Sequence, residues 1–292
     1  MIKQIIKTSR LDKSELRHIR LLADRAAARD GYKVKIYWHI VENRLTREFN
    51  DFFYYLDGNL IGYLAIYTFE NHEAEMSAVV HPSFRRKGIF KKLLSEAVFE
   101  FKQRNINSCV WVCPRQSPLN TEYLQAREAK YTFSQIEMMA QNEPEAAELP
   151  PISLQLATKE DLVTLAQLGS TSFNSSFTDT LQRFTENMTE KNRVAWLASI
   201  PDHPNIGKIH VRYDVNKTAF IHDLCILPEF RGRRLAMSMI LQTMRMLRNK
   251  GQRNFMLDVE CHNEGALKLY EKCGFVTTAA FDFWQVEVDR MM

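Results

Sequence analysis

No apolar run in this chain approaches the roughly 18 residues that a membrane span requires, so a bilayer is not expected as a partner. The start, MIKQIIKTSRLDKSE, puts charges inside its short apolar stretch and lacks the apolar core of a signal peptide, which makes the cytosol the expected compartment. Cysteine is scarce and odd in number, with Cys109, Cys113, Cys225, Cys261 and Cys273. That excludes a dense disulfide framework. Only Cys109 and Cys113 lie close together. On a strand that spacing puts both on one face, which suits buried thiols better than a zinc site, so no metal is expected. Neither charge sign dominates: 39 Lys and Arg against 35 Asp and Glu give a net +4. This balance suits anionic small ligands and lacks the concentrated basic stripe of a nucleic-acid binder.

What is present fits a soluble globular protein: 45% hydrophobic and 25% charged residues over 292 positions, a length for about two domains. The chain also repeats itself. Residues 75–90 read EMSAVVHPSFRRKGIF and residues 221–236 read IHDLCILPEFRGRRLA, so that Pro82, Phe84 and Arg85 match Pro228, Phe230 and Arg231 at an offset of 146. Ile61-Gly62 likewise matches Ile206-Gly207. The segment QNEPEAAELPP, 141–151, is acidic, carries three prolines and has neither helical nor strand periodicity, and reads as a linker. The expected domains are therefore 1–140 and 152–292.

The same order of elements is legible on both sides of the linker. In the first half a helix near 12–30 precedes the strand DFFYYL, and Asp57-Gly58-Asn59 turns the chain into LIGYLAIY. EMSAVV, the basic loop and a helix with apolar residues at 89, 90, 93, 94, 97, 98 and 101 follow. SCVWVCP, a helix near 121–129 and YTFSQIEMM close the unit. In the second half ISLQL precedes a capping-box-like Thr158-x-x-Asp161. VAWLASI and NIGKIHVRY form a hairpin, AFIHDLCIL leads into the second loop, and Gly251 stops the helix after it. NFMLDVE, a helix from Asn263 to Lys272, and the strands FVTT and FDFWQVEV complete the chain. The expected fold class is α/β, a mixed α+β arrangement in which each half is a mostly antiparallel sheet flanked by helices.

Both loops, Arg85-Arg86-Lys87-Gly88-Ile89-Phe90 and Arg231-Gly232-Arg233-Arg234-Leu235-Ala236, set basic residues where the backbone N–H groups of a helix start are unpaired. Strand, cationic turn and helix N-terminus together form a cradle for a phosphate or pyrophosphate. The second loop is followed by Asn263-x-x-Ala266-x-x-Leu269-Tyr270-Glu271-Lys272-x-Gly274-Phe275. Loop and helix together resemble the GCN5-related N-acetyltransferase (GNAT) superfamily, whose acyl-CoA loop has the form [QR]-x-x-G-x-[GA]. The resemblance covers both halves, and its motifs are most specific over 221–275.

This resemblance implies two tandem GNAT-type domains with acetyl-CoA as co-substrate. Pantetheine would lie along Leu224, Cys225 and Ile226, and in the first half along Ala78, Val79 and Val80, where a main-chain N–H would polarise the thioester carbonyl. The pyrophosphate would sit on the amides of residues 231–236, with 85–90 as the counterpart. Asn263 would bond the pantetheine arm or cap its own helix, and Tyr270 would protonate the departing thiolate. The amine acceptor needs a base, for which Asp223, His222 and Glu260 are candidates, Asp223 and Glu260 foremost. Alternation along a strand allows only one of His222 and Asp223 to face the cleft. The second loop has Arg234 where the family has glycine, and the first has Phe90 at the small-residue position, where bulk would crowd a phosphate. Counting seven from Asn120 reaches Arg127 rather than a tyrosine, so the second half is expected to carry the chemistry. The expected activity is transfer of an acetyl group to a primary amine of a small molecule or peptide, by a monomer or homodimer. The rival readings are a catalytically inactive acyl-CoA-binding regulatory protein and an aminoacyl-tRNA-dependent transferase, against which the two loops speak.

Overall fold

The computed structural model describes residues 2–44, 46–69, 73–141, 144, 148–188, 190–214 and 217–292, with the side chains of 73, 118–121 and 187 outside that description. The chain forms two units, Met1–Gln135 with Ala279–Met292, and Ile136–Thr278. The first half supplies β1 (Lys3–Thr8), α1 (Lys13–Asp30), α2 (Trp38–Val41), β2 (Asp51–Leu56), β3 (Asn59–Thr68), β4 (Glu73–Val80), α3 (Ile89–Gln103), β5 (Ser108–Pro114), α4 (Pro118–Gln125) and β6 (Lys130–Ala140). The second supplies β7 (Ser153–Leu156), α5 (Leu162–Phe173), α6 (Phe177–Asn187), β8 (Arg193–Ile200), β9 (His203–Tyr213), β10 (Thr218–Ile226), α7 (Leu235–Asn249), β11 (Asn254–Glu260), α8 (Glu264–Lys272) and β12 (Phe275–Glu287).

Local chemistry explains the element ends. Asp12 and Glu15 close a reciprocal capping box at the start of α1, and Gly31 ends that helix in the left-handed region. Asp57 and Gly58, both left-handed, make the tight hairpin between β2 and β3.

In the first unit the sheet runs β1-β2-β3-β4-β5 and then the C-terminal segment of β12, which pairs antiparallel with β5 from Phe281↔Pro114 to Glu287↔Ser108. In the second the order is β6-β11-β10-β9-β8-β7. Only β4–β5 and β10–β11 are parallel among the pairs with a described register; the rest are antiparallel. The division into units therefore does not follow the linker. Residues 279–292 group with the first half, and 136–140 with the second. Pairing with β5 satisfies an edge that β4 leaves open, and no local pattern in the sequence signals so distant a partner.

Each sheet is covered on both faces. In the first unit α3 packs Leu93, Leu94, Ala97 and Phe101 onto one face, and α1 packs Ile19, Leu22 and Ala26 onto the other. In the second, α7 contributes Leu235, Met239, Ile240 and Met244 to one core, while α5 and α6 place Leu165, Leu168 and Phe184 in the other. The methionine run of α7 is thus core packing. One ion pair is buried within the first unit: Arg44 Nε lies 3.1 Å from Asp51 Oδ2, and the hydroxyl of Tyr63 donates to Asp51 Oδ1 at 2.6 Å.

Candidate active site

The same opening is built twice. In the first unit β4 and β5 pair from Glu73↔Ser108 to Met76↔Trp111, and their pairing stops there. In the second β10 and β11 pair from Thr218↔Asn254 to Ile221↔Leu257 and stop. Beyond each stop, one strand runs through a short 3-10 turn into the basic loop and then α3 or α7. Gly88 and Arg234 stand at the two N-cap positions with no side-chain cap bond, which leaves the first helical N–H groups without a side-chain acceptor.

The two loops share a backbone but distribute their glycines differently. Left-handed residues fall at Arg86 (φ 61°) and Gly88 (φ 75°) in one, and at Gly232 (φ 77°) and Arg234 (φ 57°) in the other. Arg234, standing where the family has glycine, thus takes up a left-handed conformation that a side chain disfavours. A left-handed non-glycine residue costs on the order of 1 kcal/mol, so Arg234→Gly should raise stability by about 0.5–1 kcal/mol in a denaturant titration, the gain trimmed by the freer unfolded chain. An unchanged or lower midpoint would show that the arginine is held in place by contacts worth more than its strain.

The loop cations are not equivalent. Arg85 donates from Nε to the Val80 carbonyl at 3.1 Å, and its two terminal nitrogens fork onto Asp30 at 2.8 and 2.6 Å. Arg231 makes the matching Nε bond to the Ile226 carbonyl at 2.9 Å. Both arginines brace the loop against the strand that feeds it. Arg85, expected as a phosphate ligand, already spends its guanidinium on a carboxylate. Lys87 and Arg233 bond the carbonyls of Ser83 and Glu229 and lie against Phe84 and Phe230, while Arg86 and Arg234 are exposed.

A cavity of about 520 Å³ opens in the first unit between the parted strands, walled by Ser77 to Val80 on one side, Trp111 to Pro114 on the other, and by Arg85, Arg86 and Gly88 to Lys91 of the loop and helix start. Phe90 joins its wall, edge-on to Trp111 and Tyr123. Tyr123 itself lines the cavity, stacks on Trp111, and carries the Arg127 guanidinium 3.4 Å above its ring. Burial raises its phenol above the ordinary value and Arg127 opposes the rise. The sequence reading missed this tyrosine because it counted from Asn120. Register at the offset of 146 matches Ser117, the residue before α4, with Asn263, and Tyr123-Leu124 with Leu269-Tyr270 in exchanged order.

In the second unit Asn263 caps its own helix, its Oδ1 accepting from the Ala266 N–H at 3.1 Å. Tyr270 is half-buried beside Phe275, and burial, with a smaller push from Cys273, lifts its hydroxyl to about 12. Glu260 is exposed and 3.2 Å from His262 Nε2. Cys225 is buried, its thiol on the Leu168 carbonyl at 3.6 Å.

Asp223 departs furthest from expectation. The β9–β10 register runs regularly to His222↔His210 and resumes at Cys225↔Lys208, a bulge in which Asp223 is left-handed (φ 47°). Strand alternation fails there, so His222 and Asp223 are not on opposite faces: His222 Nδ1 lies 3.1 Å from Asp223 Oδ2. Gly207 is required opposite, since a Cβ there would meet the Cys225 carbonyl oxygen at 2.4 Å. Lys208, fully buried, sits 3.9 Å from Asp223 Oδ1 and 3.5 Å from His210 Nε2, and Arg183 approaches Asp223 at 3.5 Å. Burial alone would raise the Asp223 carboxyl, but the His222 hydrogen bond and the charges of Lys208 and His210 hold it well below the carboxylate range, which makes it a poor base. His210, His222 and Asp223 present donor atoms within 4.8 Å of one another. The Lys208 ammonium already occupies the place of a cation among them.

The profile of the Acetyltransferase (GNAT) family matches residues 22–121 and 162–275, well over half of the chain, and the chain belongs to that family. The match falls in two regions, so the chain carries two GNAT regions in tandem. The chain is 32% identical over 113 residues to the uncharacterized N-acetyltransferase YycN of Bacillus subtilis, a match covering 35% of this chain and 65% of that protein. It is 30% identical over 74 residues to N-alpha-acetyltransferase 30 of Schizosaccharomyces pombe, covering 24% of this chain and 49% of that one. The chain thus spans about two thirds and about half of the lengths of these relatives. Its fold is shared with a GCN5-related N-acetyltransferase from Sphaerobacter thermophilus (TM-score 0.79, 15% identity, 97% and 96% of the two chains). It is shared also with a tandem GNAT protein of the clavulanic acid biosynthesis pathway (TM-score 0.74, 17% identity, 98% and 99%). No helix among the described residues is long and apolar enough to cross a membrane.

Proposed function

We propose that the protein is an acetyl-CoA-dependent N-acetyltransferase that acetylates a primary amine by direct attack in a ternary complex. One observation carries this reading: in both units two parallel strands pair for four residues and then part, and a loop with two left-handed residues enters a helix without a side-chain cap. A pyrophosphate fits that helix end, where amides, helix dipole and exposed Arg86 or Arg234 converge. Acetyl-CoA would supply the acyl group. The amides along Ala78 to Val80 and Leu224 to Ile226 would hold the pantetheine arm and polarise the thioester carbonyl. The chemistry belongs to the C-terminal unit, where Tyr270 holds its proton at neutral pH and would give it to the leaving thiolate. Burial raises the Cys113 and Cys273 thiols to about 12 and keeps Cys225 above its ordinary value, which makes these three poor nucleophiles for a covalent intermediate.

A second reading places the working centre in the N-terminal unit, and the cavity lined by Tyr123 favours it. Titration of the full chain with acetyl-CoA should give saturable heat, and thiol release with a panel of primary amines should follow. Binding without thiol release would instead support the inactive acyl-CoA-binding protein, and no binding at all would overturn the proposal.

A further inference from the structure

The bulge in β10 has no counterpart in the first unit, whose equivalent β3–β4 ladder runs without a register shift from Gly62↔Val80 to Thr68↔Ala74. The second unit instead stores a left-handed, non-glycine residue just past the point where β10 and β11 part. Backbone strain of this kind, on the order of 1–3 kcal/mol, persists where the surroundings enforce it and concentrates at functional sites. What it achieves is the pairing of two neighbouring side chains that a regular strand would send to opposite faces.

The pair has the geometry of an oriented imidazole. With Asp223 ionised, the hydrogen bond fixes the proton on His222 Nδ1 and leaves a lone pair on Nε2. That Nε2 atom is shielded and has no hydrogen-bond partner, an arrangement that a purely structural histidine avoids because an unsatisfied buried acceptor costs about 1–3 kcal/mol. The side chain exposes 20% of its surface through atoms other than Nε2, so an amine meets Nε2 only when the side chains over it shift. The pair also stands on the face covered by α5 and α6, whereas α7 and its loop cover the other. A donor on the loop side and an acceptor on the α5/α6 side would meet at this opening.

We propose that His222 is the group that takes the proton from the acceptor amine in the C-terminal unit, with Asp223 as the residue that fixes its tautomer. This rests on the acyl-transfer reading above. The amine arrives as R–NH3+, and Nε2 takes one proton to leave R–NH2 and an imidazolium paired with Asp223. The nitrogen lone pair forms a C–N bond with the thioester carbonyl carbon. The C–S bond breaks with its electrons going to sulfur, the second N–H proton passes to that thiolate by way of the Tyr270 hydroxyl, and the imidazolium releases its proton to solvent. Asp223 serves here as orienter, in keeping with its own poor basicity. The titratable and charged groups around the ring are His210, which burial and Lys208 hold well below the ordinary imidazole value, and, beyond it, Lys208 and Arg212 on β9, Arg193 on β8, Arg183 on α6 and Asp258 on β11, the last acting on Arg212. Burial, with the arginines, keeps His222 below the ordinary imidazole value despite Asp223, so it is neutral at pH 7.

The test combines spectra and kinetics on the full-length chain. In long-range proton–nitrogen spectra of histidine-labelled protein, with His222 identified by its loss in His222→Gln, the wild type should show the Nδ1–H tautomer at pH 7.5. The acid limb of kcat/KM for the amine should share the midpoint of that ring. His222→Gln should lower kcat at least about 100-fold, with acetyl-CoA affinity within about threefold, and remove the limb. Asp223→Asn should retain the ring but change its tautomer and shift the limb, and it also identifies the resonance if His222→Gln does not fold. An Nε2–H tautomer in the wild type, or an acid limb that survives in His222→Gln, overturns the role while leaving acyl transfer intact. Absence of thiol release from the wild type with any amine removes the acyl-transfer reading and this role with it.

Discussion

Replacing Arg44 with methionine should destabilise the protein by about 3–5 kcal/mol at pH 8 and by far less at pH 5. Arg44 and Asp51 are both buried, and removal of the guanidinium leaves a carboxylate inside the protein with the Tyr63 hydroxyl as its hydrogen-bond donor among the described residues. Burial raises the Asp51 carboxyl from 3.8 to about 6, Arg44 and then Tyr63 pulling it back. Since the folded value lies above the unfolded one, the native state binds more protons between about pH 4 and 6, and the fold gains stability as pH falls through that window. Without Arg44 the carboxyl shifts higher still, so the variant regains its loss at less acidic pH than the wild type. Denaturant titrations of both proteins from pH 5 to 8 provide the check. A difference that stays constant across the range would mean that Arg44 acts through its packing over the Tyr67 ring, 5.3 Å away, rather than through its charge.

The second large effect is on turnover. Tyr270→Phe should lower kcat about 100-fold or more while acetyl-CoA affinity changes little, because the lost hydroxyl acts only as the C–S bond breaks. The parallel variant Tyr123→Phe reports on the other unit. If Tyr123→Phe lowers kcat and Tyr270→Phe does not, the working centre lies in the N-terminal unit. Loss of affinity equal to the loss of kcat in Tyr270→Phe would make the tyrosine a wall of the binding site instead of a proton donor.

Features that were legible in the sequence are those whose causes are local. The Asp57-Gly58 hairpin, the apolar stripes of α3 and α7, and the duplicated loops each follow from residues within one turn or one repeat. The unread features depend on distance or on backbone choice. Asp30 lies 55 residues from Arg85, and nothing near either residue announces the fork between them. The bulge at Asp223 defeats an alternation rule that holds along the rest of the strand, and it does so at an aspartate, where no glycine marks a left-handed residue. Tyr123 went unread for a smaller reason: its place beside Leu124 inverts the order of Leu269-Tyr270, which a count by spacing cannot detect.

The assignment of residues 279–292 to the first unit bears on how the protein can be made and dissected. During synthesis the N-terminal sheet lacks the neighbour of β5 until residues 281–287 have left the ribosome, so its completion waits on the second half of the chain. A truncation at the linker would strip that strand from the N-terminal piece and residues 136–140 from the C-terminal one. Separately expressed halves would expose raw sheet edges, and their insolubility would say nothing about which half works.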